Sequence, residues 1–294
     1  MRKILLTGKN GQVGWELQRT LASLGQVIAL DSSELNLADA EGIRRKVQEI
    51  KPVIIVNPAA YTAVDKAESE PDLAMAVNGI APGVLAEEAK KLNALLVHYS
   101  TDYVFDGSKV GAYVEDDVTN PLGVYGKTKL AGEQAIRATG CDHFIFRTSW
   151  VYGARGKNFL LTMLRLARER SELRVVDDQI GAPTWCRSLA EVTGQILAQY
   201  YALNVKNGML GQASGTYHLT SQGSVSWHGF TAEILRLAEL HPNLIPIPSR
   251  DYPTPAARPM NSVMSNDKLM RDFGLSVGSW QDNLQLCMQE LQSK

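Results

Sequence analysis

Short apolar segments alternate with longer segments of helical periodicity through the first half of the chain. The apolar segments are 4–7, 27–31, 53–57, 95–100 and 144–148. The segments with apolar residues at helical spacing are 13–24, 39–50, 73–92 and 124–139. Strands that are apolar on both faces and separated by helices are typical of a parallel sheet covered on both sides. We therefore predict an α/β fold with a doubly wound parallel sheet.

The alternation loosens after about residue 150. Helical patterns at 159–170, 189–203 and 230–240 are joined by loops rich in proline and glycine, such as 246–248 and 252–255. We predict that residues 1–150 form most of the sheet domain. Residues 151–294 are then mainly a smaller α/β lobe over the strand ends, where ligands bind in such folds, with some segments returning to the first domain.

A glycine-rich turn follows the first predicted strand. Gly8, Gly11 and Gly14 have the spacing G-x-x-G-x-x-G, and the helical pattern begins at Val13. Glycines allow a tight turn in which backbone N–H groups approach a pyrophosphate, and the helix dipole favours the negative charge. The position of the turn, between the first strand and the first helix, predicts a Rossmann-type dinucleotide site.

The second predicted strand ends at Asp31, which lies 17 residues after Gly14. A carboxylate at this position can accept hydrogen bonds from the adenosine ribose and repels a 2′-phosphate, so it favours NADH over NADPH. Lys9, in the glycine turn, could offset that repulsion and leaves NADPH open. The alternative is that Asp31 is a solvated loop residue.

A threonine, a tyrosine and a lysine form the candidate catalytic set. Thr101 ends the fourth predicted strand, and Tyr125 and Lys129 are four residues apart on one helix face. When a hydride reaches a ketone carbon, charge grows on oxygen and an acid must supply a proton. A phenol beside an ammonium suits that role, and the Thr101 hydroxyl can polarise the carbonyl.

Each of these residues also has a purely structural interpretation. Tyr125 and Lys129 could be an ordinary exposed helix pair, and Lys127 is a competing lysine on another face of the helix. His98 lies in an apolar strand, so we interpret it as a core residue rather than a base. The upstream glycine turn favours the catalytic interpretation of Tyr125, Lys129 and Thr101.

Composition and charge exclude other classes of protein. With 30 Lys and Arg against 31 Asp and Glu, the formal net charge is −1, so neither a nucleic acid nor a membrane surface is expected as a partner. No apolar run reaches the ~20 residues that a membrane span requires, and we expect a cytoplasmic protein. Cys141, Cys186 and Cys287 are widely separated, as reduced thiols would be.

Several long stretches resemble the extended short-chain dehydrogenase/reductase family, and together they extend over nearly the whole chain. The matching stretches are 8–16, 98–105, 124–133, 146–152 and 181–184. Within this family, the closest resemblance is to members that reduce the keto group of a dTDP-linked deoxysugar with NADH or NADPH. The resemblance implies that fold, that substrate class and those cofactors.

The resemblance also implies roles for individual residues. Tyr125 is then the proton donor, Lys129 its electrostatic partner and ligand of the nicotinamide ribose, and Thr101 the hydroxyl that tunes the site. The residues where the family holds the dinucleotide are Gly11, Gln12, Val13, Asp31, Asn36, Leu37, Ala60, Tyr61 and Thr62. The residues where it contacts the sugar nucleotide are Thr101, Asp102 and Trp150.

Two further side chains are candidates for the substrate site. Trp150 follows the fifth predicted strand, so it could stack on a sugar or base, or cap the core. Arg258 lies in the second lobe, where a cation could hold a diphosphate.

Some members of the family are magnesium-dependent dimers. Glu16 matches one acidic position of that metal site and Glu290 is a second candidate, but Arg187 stands where another acid is expected. Whether magnesium and a homodimer belong to this chain therefore stays open.

Two rival functions share the predicted fold. Another reductase or an epimerase of nucleotide sugars would use the same architecture, because fold does not fix the substrate. Regulatory subunits with a reductase-like fold bind without catalysis, and the complete set of Thr101, Tyr125 and Lys129 argues against such a role.

Overall fold

The computed structural model describes residues 2–207 and 214–293. The strands are β1 (Lys3–Thr7), β2 (Gln26–Leu30), β3 (Ile54–Asn57), β4 (Leu95–Thr101), β5 (His143–Thr148), β6 (Val151–Tyr152), β7 (Glu172–Val176), β8 (Ile180–Gly181), β9 (Thr184–Trp185), β10 (Gly215–His218), β11 (Val225–Ser226) and β12 (Asn243–Ile247).

Helices connect most of these strands. They are α1 (Gln12–Thr20), α2 (Ala40–Ile50), α3 (Val64–Ala67), α4 (Pro71–Met75), α5 (Ala81–Leu92), α6 (Val124–Thr139), α7 (Phe159–Glu169), α8 (Cys186–Asn207), α9 (Trp227–Leu237), α10 (Asp267–Phe273) and α11 (Trp280–Gln292). A π-helical segment, Ala76–Ile80, joins α4 to α5, and short 3-10 turns lie at Asp102–Val104 and Ser249–Asp251.

The central sheet has six parallel strands in the order β2-β1-β3-β4-β5-β10. The order reverses after β1, so the crevice outside the carboxyl ends of β1 and β3 is where a doubly wound fold binds its ligand. The predicted doubly wound parallel sheet is confirmed.

Alternating residues of the strands fill two separate cores. Ile4 and Leu6 of β1 lie on one face, in a core shared with α1 and α8, whereas Leu5 lies on the other face with α2 and α5. All three leucine and isoleucine side chains are fully buried. A strand whose alternating side chains are apolar on both faces must be covered by helices on both sides of the sheet, as the sequence indicates.

The second half of the chain builds a third apolar core. Leu160 of α7, Phe230 of α9 and Leu284 of α11 are fully buried there. The parallel pair β7 and β12 packs beside α9 and α7. One later strand, β10, pairs with β5 at the edge of the central sheet.

The prediction of one continuous helix over residues 73–92 is wrong. The structure has α4, then the π-helical segment 76–80, then α5. The wider turn lets the buried side chain of Asn78 bond the backbone of Tyr61, accepting from its N–H at 2.8 Å and donating to its carbonyl at 3.0 Å. Hydrophobic periodicity does not report such a bulge, which often marks a functional position.

The cysteines and the lengths of the helices bear on the environment of the chain. Cys141, Cys186 and Cys287 are all buried free thiols. Within the described ranges, we find no helix that combines the length and the apolar character needed to cross a membrane.

Candidate active site

The glycine turn lies between β1 and α1 at the carboxyl edge of the sheet. An added Cβ at Gly14 would lie 2.1 Å from the carbonyl oxygen of Gly8, so only glycine allows this approach of helix to strand. Helix α1 begins after Gly11, and no side chain caps its first N–H groups. These groups can therefore bind an anion such as a pyrophosphate.

A cleft of about 290 Å³ lies beside the turn. It brings together the predicted cofactor residues Gly8, Gly11, Asp31, Asn36, Leu37 and Ala60. Thr7, Asn10 and Val77 also line it, and the sequence analysis missed them. The cleft combines backbone donors, a carboxylate and small residues, so it fits the adenosine and pyrophosphate portion of a dinucleotide.

Asp31 follows β2 and is held as a carboxylate. Its oxygens accept hydrogen bonds from the Ser33 hydroxyl at 2.6 Å, the Ser33 N–H at 3.0 Å and the Asn10 amide at 3.1 Å. The bonds from Ser33 are the main cause that lowers the pKa of Asp31 to about 2. Lys9 lies 3.5 Å from Asp31 but only 2.5 Å from Glu34, so Glu34 already neutralises much of its charge.

Other predicted dinucleotide residues, among them Gln12, Val13, Tyr61 and Thr62, lie outside this cleft. The amide oxygen of Gln12 accepts from Asn158 at 2.9 Å, and Val13 packs against the apolar cores. The phenol of Tyr61 donates to Glu70 at 2.6 Å, and Thr62 is exposed.

Thr101 and Asp102 lie together where β4 leaves the sheet. The Thr101 hydroxyl donates to the Asp102 carboxyl at 3.0 Å and accepts from the backbone N–H of Tyr103 at 3.2 Å. Both side chains are buried. The Tyr125 phenol lies near enough to Thr101 for that hydroxyl to oppose the rise in its pKa, and its ring lies edge-on to Tyr103 at 5.4 Å between centroids. The structure thus brings the predicted threonine and tyrosine together.

Helix α6 is seated tightly against this exit. An added Cβ at Gly126 would lie 2.2 Å from the backbone oxygen of Tyr103, which no larger residue could tolerate without moving the helix. The helix start is fixed as well, because the backbone N–H of Val124 donates to Glu68 at 2.8 Å. These two contacts set the position of Tyr125 relative to Thr101.

Burial governs the protonation of this cluster. Burial raises the pKa of Asp102 to about 6, against the opposing influence of the nearby Ser262 and Thr101 hydroxyls. Burial and the nearby Asp102 carboxylate raise the pKa of Tyr125 to about 12. Burial and Asp102 dominate the pKa of Tyr125, so the role of Lys129 in making this phenol more acidic stays a prediction.

Lys129 is buried beneath the site rather than exposed on the helix. Its ammonium donates to the carbonyl oxygen of Tyr99 at 2.6 Å and lies 3.0 Å from Nε2 of His98. Burial lowers the pKa of Lys129 to about 7, and Glu133 opposes that shift. Lys127 is exposed, as predicted for the competing lysine.

His98 is fully buried, and both ring nitrogens have partners. It is therefore a satisfied core histidine, as interpreted from the sequence. Its partner on one side, however, is the candidate catalytic Lys129, which the strand pattern could not indicate.

Trp150 lies two residues after the end of β5 and has a left-handed backbone, with φ of 48°. Its indole stacks on Trp227 with 3.5 Å between ring centroids and 7° between planes. Trp227, and not Trp150, lines a cleft of about 720 Å³. Sequence reasoning missed Trp227, because nothing in the sequence shows that the start of α9 packs against Trp150.

Arg258 lines the same large cleft, and its contact with the substrate stays a prediction. Its guanidinium forms an ion pair with Asp65 of α3 at 2.9 Å. Asp65 also accepts from the backbone N–H of Ala256 at 3.2 Å. Arg258 therefore joins the second half of the chain to the segment after β3.

The acidic residues considered for magnesium do not fit a metal site. Arg187 lies between them, donating to Glu16 at 3.2 Å and to Glu290 at 3.0 Å. Arg19 also pairs with Glu16 at 2.7 Å. In the ranges described, no cluster of three or more His, Cys, Asp or Glu side chains could hold a metal ion. The positive charge at this position comes from guanidinium groups.

The fold and the site define a dinucleotide-binding protein with the architecture of the extended short-chain dehydrogenases/reductases. The family model described as the RmlD substrate binding domain matches residues 1–293. The chain belongs to this family. The resemblance found in the sequence is thereby confirmed.

Known proteins similar to the chain include both curated relatives and solved structures. A relative from Burkholderia thailandensis, named dTDP-4-dehydrorhamnose reductase, is 50% identical over 300 residues, covering 99% of this chain and 100% of the relative. A solved dTDP-4-dehydrorhamnose reductase from Clostridium acetobutylicum has a TM-score of 0.91 and 38% identity, covering 99% of each chain. The Bacillus anthracis enzyme of that name, in complex with NADP, has a TM-score of 0.90 and 36% identity, covering 99% of this chain and 100% of that one.

Proposed function

We propose that this protein reduces the 4-keto group of dTDP-4-dehydro-6-deoxy-L-mannose with NADH or NADPH, giving dTDP-L-rhamnose. The observation that carries the proposal is the cluster of the buried Thr101 and Asp102 with the half-buried Tyr125, at the same sheet edge as the glycine turn. Relatives named dTDP-4-dehydrorhamnose reductase, similar over the whole chain, support this substrate.

A bound reduced dinucleotide supplies the hydride to the carbonyl carbon. The Thr101 hydroxyl would donate to the carbonyl oxygen, and the Tyr125 phenol would give that oxygen its proton. The raised pKa of Tyr125 keeps the phenol protonated at neutral pH, which a proton donor requires. The product alkoxide is a far stronger base than a phenolate, so the proton transfer remains favourable.

Lys129 would act from the buried side of Thr101 and Tyr125. Two of its three N–H groups are used by His98 and Tyr99 in the described contacts, which leaves one for a ligand. That group can bind a hydroxyl of the nicotinamide ribose, and its charge would stabilise the negative charge left on the phenol after proton transfer.

The residues present fit a dinucleotide along the glycine turn, through the uncapped start of α1 and the cleft beside it. The ionised Asp31 would accept hydrogen bonds from the adenosine ribose and favours NADH. A 2′-phosphate would have to draw Lys9 away from Glu34, and the NADP complex of the Bacillus anthracis relative keeps that cofactor open.

The substrate would occupy the cleft of about 720 Å³, whose lining comes from residues 159–258. This supports the proposal that residues 151–294 form most of the substrate lobe. Trp227 offers an aromatic face and Arg258 a cation to the sugar nucleotide. Trp150 stacks on Trp227 and supports its position. Asp102 would meet the sugar beside Thr101.

The proposed proton donor is tested with Tyr125→Phe. We expect kcat to fall by about 100-fold or more while the Kd for the dinucleotide stays within about twofold. Tyr113→Phe is the matched control, because its phenol bonds Asp106 away from this cluster and the variant loses the same single oxygen atom. Equal kcat for the Tyr125 variant and wild type would contradict the assignment.

The rival roles give different results in the same preparation. An epimerase would regenerate its dinucleotide and show no net oxidation, and a regulatory subunit would bind without turnover. A homodimer, as implied by the resemblance, and a cytoplasmic location, as expected from the lack of a long apolar run, complete the proposal.

A further inference from the structure

A chain of buried side-chain hydrogen bonds joins the exit of β1 to Lys129. The Thr7 hydroxyl lies 2.6 Å from Oδ1 of Asn57, and Nδ2 of Asn57 lies 3.1 Å from Nδ1 of His98. Nε2 of His98 lies 3.0 Å from Nζ of Lys129. All four side chains are at most 2% exposed. Thr7 directly precedes the glycine turn, so the chain links the two halves of the proposed site.

Burial lowers the pKa of His98 well below its ordinary value, so its ring is neutral and has one N–H and one lone pair. Each ring nitrogen faces a polar partner, so one must donate and the other must accept. An ammonium at Lys129 can only donate, which requires an accepting Nε2 and an N–H on Nδ1. That N–H then needs an oxygen of Asn57 as its acceptor.

The opposite arrangement is equally complete. If Asn57 presents its NH2 group to His98, Nδ1 must accept and the N–H lies on Nε2. Nε2–H can be satisfied by Lys129 only when the lysine is a neutral amine. The Thr7 hydroxyl serves both arrangements, because it can donate to the Asn57 oxygen or accept from the Asn57 NH2.

We propose that His98 is a positioning residue for the reduction proposed above: with Asn57 and Thr7 it fixes the Lys129 nitrogen and couples the charge of Lys129 to the imidazole tautomer. The titratable groups facing Lys129 are His98 from β4 and Glu133 from α6. The pKa of Lys129, about 7, makes both arrangements accessible near neutral pH.

The coupling is tested directly by 15N NMR of the histidine-labelled full chain, with the His98 signals assigned from His98→Gln. We expect the ring N–H to move from Nδ1 to Nε2 as the pH rises from about 6 to about 9, with the ring neutral throughout. A single tautomer over that range, or uptake of a second ring proton, would overturn the proposal. This readout does not depend on turnover.

The positioning role is tested by the pH profile of kcat. His98→Leu removes the acceptor from the ammonium and keeps the site dry, so we expect the alkaline limb to move down by about one pH unit. His98→Gln keeps an amide oxygen for Lys129 and should restore most of the wild-type profile. An unmoved limb in His98→Leu, or an equal shift in both variants, would overturn the role.

His218→Leu is the control for loss of a buried imidazole. His218 is also fully buried in the central sheet, on β10, and its bond is to the Ser265 carbonyl. We expect its profile to match wild type, and an equal shift there would overturn the assignment to His98. Wild-type protein without activity on the sugar nucleotide would instead count against the proposed function, and the NMR result would stand apart from it.

Discussion

Asp102 is held in surroundings that penalise its charge. Burial raises its pKa from the ordinary 3.8 to about 6. Between those two values the folded state binds more protons than the unfolded state, so stability falls as the pH rises through this window. Above about pH 7 the carboxylate is ionised in both states, and the folded state carries the full cost.

The substitution Asp102→Asn should therefore stabilise the protein most at alkaline pH. We expect the free energy of unfolding to rise by up to about 3 kcal/mol above pH 7, with the gain shrinking as the pH falls toward 4. A carboxyl pKa raised from 3.8 to about 6 corresponds to that energy. Urea unfolding at several pH values measures this. A gain that is constant with pH would show that Asp102 ionises normally.

At the residue scale, the sequence could indicate Thr101, Tyr125 and Lys129 because strand ends and helix spacing are local properties. It could not indicate that Lys129 bonds His98, since that contact joins α6 to β4. It also made Trp150 a candidate for stacking on the substrate or for capping the core, and gave no signal for Trp227, which lines the cleft from a distant helix. Partners that depend on packing between elements are not encoded in local spacing.

At the scale of single elements, the packing of α6 against the exit of β4 sets the position of the Tyr125 phenol. Gly126 allows the helix to approach the backbone of Tyr103, and a side chain there would push the helix outward. Such a shift separates Tyr125 from Thr101, and misplacement by about 1 Å can cost about 100-fold in rate.

Gly126→Ala should lower kcat by about 10-fold or more and destabilise the protein by about 1–3 kcal/mol, because overpacking strains the contact. Gly194→Ala is the matched control. Its nearest contact would be an ordinary 3.6 Å, and an alanine within α8 should stabilise by about 0.5–1 kcal/mol. Steady-state kinetics and thermal unfolding of both variants measure the difference. Full activity in Gly126→Ala would contradict the proposal that close packing of α6 positions Tyr125.

Element boundaries were predictable where caps and apolar periodicity agree, as in α6, which spans the predicted 124–139. The π-helical segment was not predictable, because Asn78 widens the helix to reach the backbone of Tyr61, a tertiary contact. Similarly, Val53 was predicted to be in β3, but it is 41% exposed and the strand starts at Ile54.

At the scale of the whole molecule, Arg187 connects three helices. It lies on α8 and pairs with Glu16 of α1 and Glu290 of α11. Glu16 is nearly buried, at 7% side-chain exposure, so removal of its partner leaves a poorly solvated charge.

Arg187→Gln should lower the free energy of unfolding by about 1–2 kcal/mol, less than for a fully buried pair because the arginine is partly exposed. Arg19→Gln removes the more exposed partner of the same carboxylate and should cost less than about 0.5 kcal/mol. EDTA and added Mg²⁺ should leave the wild-type Tm unchanged. A Tm that falls in EDTA would show that a metal binds after all.

The parallel sheet and the helices on both of its faces followed from apolar strands alternating with helices. The return of β10 to the central sheet was foreseen only in general terms, because its four residues carry little apolar signal. The pairing of β7 with β12, 71 residues apart, was equally hidden. Long-range pairing of short strands is set by packing of the whole chain, which a single sequence does not display.

The central claim is that the chain transfers hydride from a reduced dinucleotide to the keto carbon of the sugar nucleotide. The most direct measurement incubates the protein with dTDP-4-dehydro-6-deoxy-L-mannose and NADH or NADPH deuterated at the transferring position, followed by NMR and mass spectrometry of the product. We predict one deuterium at C4 of dTDP-L-rhamnose for each dinucleotide oxidised. Product without deuterium, or no oxidation of either dinucleotide, would contradict the account.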